Sequence, residues 1–321
     1  MTHFDIFNGD ADGLCALHQL RLDAPLDSVL VTGVKRDNAL LARIDAHAGD
    51  SVCALDIALP GNRDALLALL ARGVRITYID HHEPGELPAH PAFDVVIDTS
   101  PDVCTSVLVD RRLQGRQRRW AVVAAFGDNL AATGRALGLA MGLDEPTLAH
   151  WQSLGECINY NAYGLTEDDL VYRPAQLYRA MVPYADPQRF IDAEPHFALL
   201  AQARRDDLEQ ARAQGASRVS QGATLRVLPD AAWARRAIGS FANTVANDDP
   251  RRAHAVAVPG PDGALMVSLR VPAGAQVSAD SVCRAFGGGG RKIAAGIDAL
   301  APDRIDAFGE ALERAYPATI A

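Results

Sequence analysis

Short apolar runs alternate with stretches of helical periodicity through the first half of the chain. Phe4 to Phe7, Ser28 to Val31, Ser51 to Leu55, Arg75 to Ile79 and Val95 to Ile97 read as strands, and Asp12 to Arg21 and Arg63 to Arg72 read as helices between them. That alternation is the pattern of a parallel sheet with crossover helices. A later apolar run, Val122 to Gly127, reads in the same way as a segment that delivers Asp128 to the sheet edge. A helix-rich stretch from Glu145 to Gly215 follows. Its last part, Pro195 to Gln214, is charged and rich in Ala and Leu, which fits a long exposed helix joining two lobes, and Gly215 is a natural stop. Beyond it, Ala223 to Leu228, Ala253 to Val258 and Leu265 to Val271 read as strands, with helices over Ala234 to Asn247 and Asp303 to Ala315. The fold class predicted is α/β, with a parallel-sheet N-terminal domain over 1–185, a helical linker over 186–215 and a smaller α/β domain over 216–321.

Composition narrows what such a chain can do. With 321 residues, 49% of them hydrophobic, it can bury a real core and fill two domains. A net charge of −9 argues against duplex nucleic acid as a partner, since that needs many Lys and Arg contacts to phosphates. The 5 cysteines are scattered and odd in number, so they imply neither a disulfide framework nor a thiolate zinc site. No run has the roughly 18 apolar residues of a membrane span, and the N-terminus lacks a leader pattern. A cytoplasmic location and no membrane partner are expected.

The chemistry lies at the ends of the apolar runs. Asn8-Gly9-Asp10-Ala11-Asp12-Gly13 follows the first strand, Asp56 follows Ser51 to Leu55, Asp80-His81-His82 follows Arg75 to Ile79, and Asp128 follows Val122 to Gly127. Taken singly, the first is an Asp/Gly turn, Asp56 and Asp128 are helix N-caps, and the histidines are a polar loop. Their recurrence at the carboxyl edge of a sheet, where open α/β folds bind ligands, favours a shared site. Carboxylates brought together repel unless a cation neutralises them, and oxygen ligands with imidazole suit manganese or magnesium.

These residues resemble, in order and spacing, the four motifs of the DHH phosphoesterases. The segment Phe286-Gly287-Gly288-Gly289-Gly290-Arg291-Lys292-Ile293-Ala294-Ala295-Gly296 resembles the glycine-rich signature of the DHH-associated C-terminal domain. The resemblance implies two divalent cations, Mn2+ first and Mg2+ second. Asp56 would bridge them, Asp12, His81 and Asp128 would complete one ion's shell, and Asp10 with Asn8 would hold the other. Asp80 would orient His81, and His82 would face the substrate phosphate. Asn8 and Arg291 stand where many members have histidine.

In the second domain, four successive glycines allow close backbone approach to an anion, particularly if a helix starts after them. Gly288, Gly289, Gly290 and Arg291 are therefore candidate substrate contacts, and similarity to the Ser-x-Arg segment of related two-domain enzymes adds Arg270, at the end of its strand. The basic group Arg111, Arg112, Arg116, Arg118 and Arg119 lacks interleaved aromatics and reads as a solvated helix end. The resulting expectation is a phosphodiesterase that cuts short oligonucleotides or linear dinucleotides such as pGpG to nucleoside monophosphates. A catalytically weak nucleotide sensor and a longer-strand exonuclease are the alternatives, and a homodimer is compatible with the sequence.

Overall fold

The apolar runs of the first half form β1 (His3–Phe7), β2 (Val29–Val31), β3 (Ser51–Leu55), β4 (Arg75–Asp80) and β5 (Phe93–Ile97) in the computed structural model, which describes residues 1–318. All five pair in parallel in the order β2-β1-β3-β4-β5, with Phe4 opposite Val29 and Val52, and Ile76 opposite Phe93. Helices α1 (Ala11–Asp23) and α2 (Arg63–Ala71) connect strands. After the sheet come α3 (Thr105–Arg112), α4 (Arg118–Gly127), α5 (Ala131–Ala140), α6 (Glu145–Asn161), α7 (Pro174–Met181), α8 (Pro187–Ala193) and α9 (Pro195–Ala213).

Strand side chains alternate between two cores. Phe7, Cys53, Leu55 and Ile79 pack with residues of α1, α3, α4 and α6, while Ile6, Val52, Ala54, Ile76 and Tyr78 pack with Leu66, Leu69 and Leu70 of α2. Both faces are covered, so the strands read as continuous apolar runs rather than alternating ones.

Val122 to Gly127 is not a strand-like run but the C-terminal half of α4. Every residue from Trp120 to Gly127 is buried, so the run has no polar face whose spacing could separate helix from strand. Ala121, Ala124 and Ala125 suit the helix. Small residues set its packing: a Cβ on Gly127 would lie 2.4 Å from Ala11 Cβ, and one on Gly155 would lie 2.2 Å from the Val123 carbonyl oxygen.

The chain divides into two units, Met1–Ala162 with Thr166–Gln202, and Tyr163–Leu165 with Ala203–Ala321. Residues 186–215 are largely α8 and α9, and the division falls inside α9. That helix is not simply exposed, since Leu200 and Ala211 are fully buried. The second unit holds β6 (Arg218–Val219), β7 (Ala223–Val227), α10 (Ala232–Asp248), β8 (Ala253–Pro259), β9 (Leu265–Arg270), α11 (Ala279–Arg284), β10 (Gly289–Gly290), β11 (Ala294–Leu300) and α12 (Ile305–Ala315). Its sheet runs β10-β11-β9-β8-β7-β6, with only β7 and β8 parallel. Along β8, Ala253, Ala255 and Ala257 face the α11 and α12 side, and Val256 and Val258 face α10. The last three residues of the expected 216–321 domain lie outside the described residues.

One buried group makes the first unit's stability depend on pH. His18, in α1, is 1% exposed, donates from Nε2 to the Tyr184 carbonyl at 2.9 Å and meets the Trp120 ring edge-on. Burial lowers its pKa from 6.5 to about 4, against the opposing effect of that hydrogen bond. Between those values the unfolded chain binds a proton that the folded one refuses, so stability is full above pH 6.5 and falls as the pH drops towards 4. About 2 kcal/mol should be lost between pH 7 and 5. Urea midpoints of wild type and His18→Gln should differ in their pH slope by that amount; parallel slopes would refute the assignment.

Candidate active site

The sheet order places the site. From β1 the chain turns to β2 on one side, while β3 leads to β4 on the other, so the connections diverge between β1 and β3 and leave a crevice at their carboxyl ends. Asp10 and Asp12 follow β1, and Asp56 follows β3.

Asp10 caps α1, accepting at Oδ1 from the backbone N–H groups of Asp12 (2.9 Å) and Gly13 (3.1 Å). Asp12, in the first turn, accepts from the N–H of Thr105 and of Ser106, each at 2.7 Å, where α3 begins. The Thr105 hydroxyl donates to Asp56 Oδ1 (3.2 Å), and the Ser106 hydroxyl to the Asp12 carbonyl (2.8 Å). Asp56 has φ +57°, a left-handed conformation that aspartate tolerates and that costs most other side chains more. Asp128 caps the C-terminal end of α4, whose packing on α1 through Gly127 brings it to the same place.

His81 Nε2 lies 3.4 Å from Asp56 Oδ1, 3.9 Å from Asp128 Oδ2 and 4.0 Å from Asp12 Oδ2. Its Nδ1 donates to the Val103 carbonyl at 3.0 Å, which aims Nε2 at three carboxylates. Asp128 Oδ2 and Asp80 Oδ2 are buried and have no hydrogen-bond partner. Candidate ligand atoms lie within 4.8 Å of one another in two groups, Asp12 with His81 and Asp128, and Asp56 with His81 and His82. The donor set therefore fits a divalent ion.

The electrostatics agree. Burial, then the charges of Asp12, Asp10, Asp80 and Asp128, push the Asp56 carboxyl well above its ordinary range. Asp128 is raised to about 6 by burial and by Asp12 and Asp10, against the charge of Lys35. Asp10 behaves oppositely: burial would raise it, but the Lys35 ammonium and the Gly13 N–H hold it at about 2.

One expectation needs correction. Asp80 does not orient His81: its Oδ1 bonds His82 Nδ1 at 2.7 Å, because His82 folds back over the strand end while His81 turns to Val103. Burial disfavours the His82 cation, but Asp80 outweighs that and raises its pKa, leaving a half-exposed imidazole backed by a carboxylate. The glycine-rich segment does not lead into a helix. Gly289 and Gly290 pair antiparallel with Gly296 and Ala295, so the segment enters a hairpin. Gly288 is required there because a Cβ would lie 2.2 Å from the Gly296 carbonyl oxygen.

Other expected residues fall as follows. The Asn8 amide is engaged with the backbone, accepting from Asp10 N–H (3.2 Å) and donating to the Lys35 carbonyl (3.1 Å). Arg270 is mostly covered and donates to Asn243 Oδ1 (2.6 Å) and Ser268 Oγ (3.0 Å), while Arg291 is exposed. Arg111, Arg112, Arg116, Arg118 and Arg119 pair with Asp98, Asp94, Asp23, Asp110 and Asp186. Lys35, Thr105 and Ser106 escape the sequence reading. Thr105-Ser106 at the head of an apolar helical run carried an N-terminal signal, whereas Lys35 carried none.

Residues 220–316 match the model of the DHHA1 domain. No curated protein matches the chain in sequence. Among solved structures, exonuclease RecJ bound to manganese is 20% identical with a TM-score of 0.58, covering 98% of this chain and 89% of that one. RecJ from Thermus thermophilus in complex with Mn2+ is 19% identical with a TM-score of 0.63, and this chain spans about half of its length (51%). The pGpG-specific phosphodiesterase PggH from Vibrio cholerae is 13% identical with a TM-score of 0.58, covering 97% of each chain. The chain therefore carries a DHHA1 domain over residues 220–316, and its fold is shared with these exonuclease and phosphodiesterase structures.

Proposed function

We propose that the protein is a metal-dependent phosphodiesterase that hydrolyses short oligonucleotides or linear dinucleotides, of the pGpG kind, to nucleoside monophosphates. The observation that carries this is the convergence of Asp12, Asp56, Asp128 and His81 Nε2 on one point in the β1–β3 crevice. Those residues would hold a divalent cation, Mn2+ before Mg2+, given oxygen donors with one imidazole. When bound, such an ion supplies an acidified water and neutralises charge on a phosphoryl oxygen. A second ion would have to draw on Asp10, whose carboxylate already faces the Lys35 ammonium.

The protein's own groups do the rest. Thr105 and Ser106 hold the Asp12 carboxylate by backbone N–H groups, fixing the direction it presents. His82, steadied by Asp80, keeps a proton available to a phosphate or leaving oxygen. In the second unit, Arg270, Gly288, Gly289, Gly290 and Arg291 are the proposed substrate contacts. Preference for short substrates is supported by the pairing of the arginine run, which leaves no track of unpaired arginines there for a long backbone.

The test is a product assay with Mn2+ against di-, tri- and pentanucleotides and a thirty-mer. Faster release of monophosphates from the shortest members supports the proposal. A thirty-mer cleaved as fast as a dinucleotide returns the longer-strand exonuclease, and binding without product returns the nucleotide sensor.

A further inference from the structure

We infer that Lys35 supplies a built-in positive charge where a second divalent ion would otherwise sit, so that the site takes a single ion at Asp12, Asp56, His81 and Asp128. This rests on the metal-dependent reading proposed above and fixes how many ions that site holds.

The Lys35 ammonium lies against Asp10 Oδ2, 3.1 Å from Asn159 Oδ1 and 4.0 Å from Asp128 Oδ1. It therefore contacts Asp10 and lies beside Asp128 of the four-residue group. Both Asp10 oxygens are engaged, Oδ1 by the N–H groups of Asp12 and Gly13 and Oδ2 by Lys35. Asn8, the remaining oxygen donor of the β1 turn, spends its side-chain oxygen on the Asp10 N–H.

Lys35 is also fixed from its backbone. Its N–H donates to the Ala162 carbonyl at 2.9 Å, and its carbonyl accepts from Asn8 Nδ2 at 3.1 Å. Asn8 thus serves the lysine on one side and the Asp10 turn on the other. An incoming cation at Asp10 would have to displace an ammonium or sit beside one, and like charges at that separation exclude each other in a site so little hydrated. A lysine ammonium is a compact charge with three donors, suited to a phosphate oxygen as well as to carboxylates. Placed here it offers a substrate phosphate the charge that a second ion would give, with no dependence on metal supply.

Manganese stoichiometry decides the matter independently of turnover. Isothermal titration with Mn2+, checked by metal analysis after gel filtration, should give one ion per chain for the wild type. Its electron paramagnetic resonance spectrum should be the six-line signal of an isolated ion. Lys35→Met, which keeps the stem and removes the charge, should release Asp10, bind two ions and show a spectrum broadened by spin coupling. Two ions in the wild type would overturn the inference however the variant behaves, and a variant that folds with one ion would overturn it too. No ion bound by the wild type would instead remove the metal-dependent reading, and this inference with it.

Discussion

Asp56→Asn and Asp128→Asn are each expected to lower divalent-metal-dependent hydrolysis at least about a thousandfold, which is about 4 kcal/mol of transition-state stabilisation. Asp56 lies closest to His81 Nε2 and Asp128 contributes an oxygen that no protein donor satisfies, so each removes a charge that the ion needs. The same changes should leave the metal-free fold intact or make it more stable. Asp56 is buried beside Asp12, Asp10, Asp80 and Asp128, and neutralising one member relieves repulsion among them. Asparagine also tolerates the left-handed backbone of position 56, so the substitution adds no strain. Thermal midpoints in chelator should thus be equal or higher in the variants while activity collapses, the trade-off expected where a site is built from mutually repelling groups. Near-normal turnover with normal metal content in either variant would show that the centre lies elsewhere. A fall in the chelated midpoint would show that the carboxylates serve the fold.

Much of this arrangement was legible before the fold was known, for identifiable physical reasons. Parallel strands covered on both faces must be continuous apolar runs, and the turn after each must be polar, so β1, β3 and β4 and their trailing Asp10, Asp12, Asp56, Asp80, His81 and His82 announce themselves together. Asp128 was found for a partly mistaken reason, since the apolar run before it is a helix buried all round, which lacks the periodicity that separates helix from strand. The hairpin of β10 and β11 was missed because glycine and alanine at 287–290 and 294–296 carry no strand propensity, and pairing is dictated there by close backbone approach. The direction of the Asp80 hydrogen bond could not be read at all. Two adjacent histidines differ in which way the chain turns after the strand, and that depends on the Val103 carbonyl, 22 residues away. Lys35 was invisible for a similar reason: a lone lysine in a loop after β2 has no pattern around it, and its meaning comes from Asp10, Asn159 and Asp128 meeting it from elsewhere in the unit.

Gly13→Ala should be a damaging change despite its conservatism, and the sign of its effect makes it informative. Gly13 lies inside α1, where replacing glycine by alanine ordinarily stabilises by up to about 1 kcal/mol. Here the added Cβ would fall 2.1 Å from the Asn8 carbonyl oxygen and 2.8 Å from the Asn8 backbone nitrogen and carbonyl carbon. Those are main-chain atoms of the turn itself, and they cannot swing aside as a flexible side chain could. The first turn of α1 must back away from β1, carrying Asp12 with it and stretching the two hydrogen bonds by which Asp10 caps the helix. A loss of about 1–3 kcal/mol of stability is expected, as for overpacking elsewhere. Hydrolysis should fall by about a hundredfold, because displacement of reacting groups by about an ångström has that effect. Gly61→Ala is the control: a Cβ there meets nothing within 4 Å, so urea midpoint and turnover should both stay near wild type. If Gly13→Ala were as stable as wild type and hydrolysed its substrate as fast, the turn would be free to adjust, and the geometry drawn between Asp10, Asp12 and His81 would not be what sets the reaction.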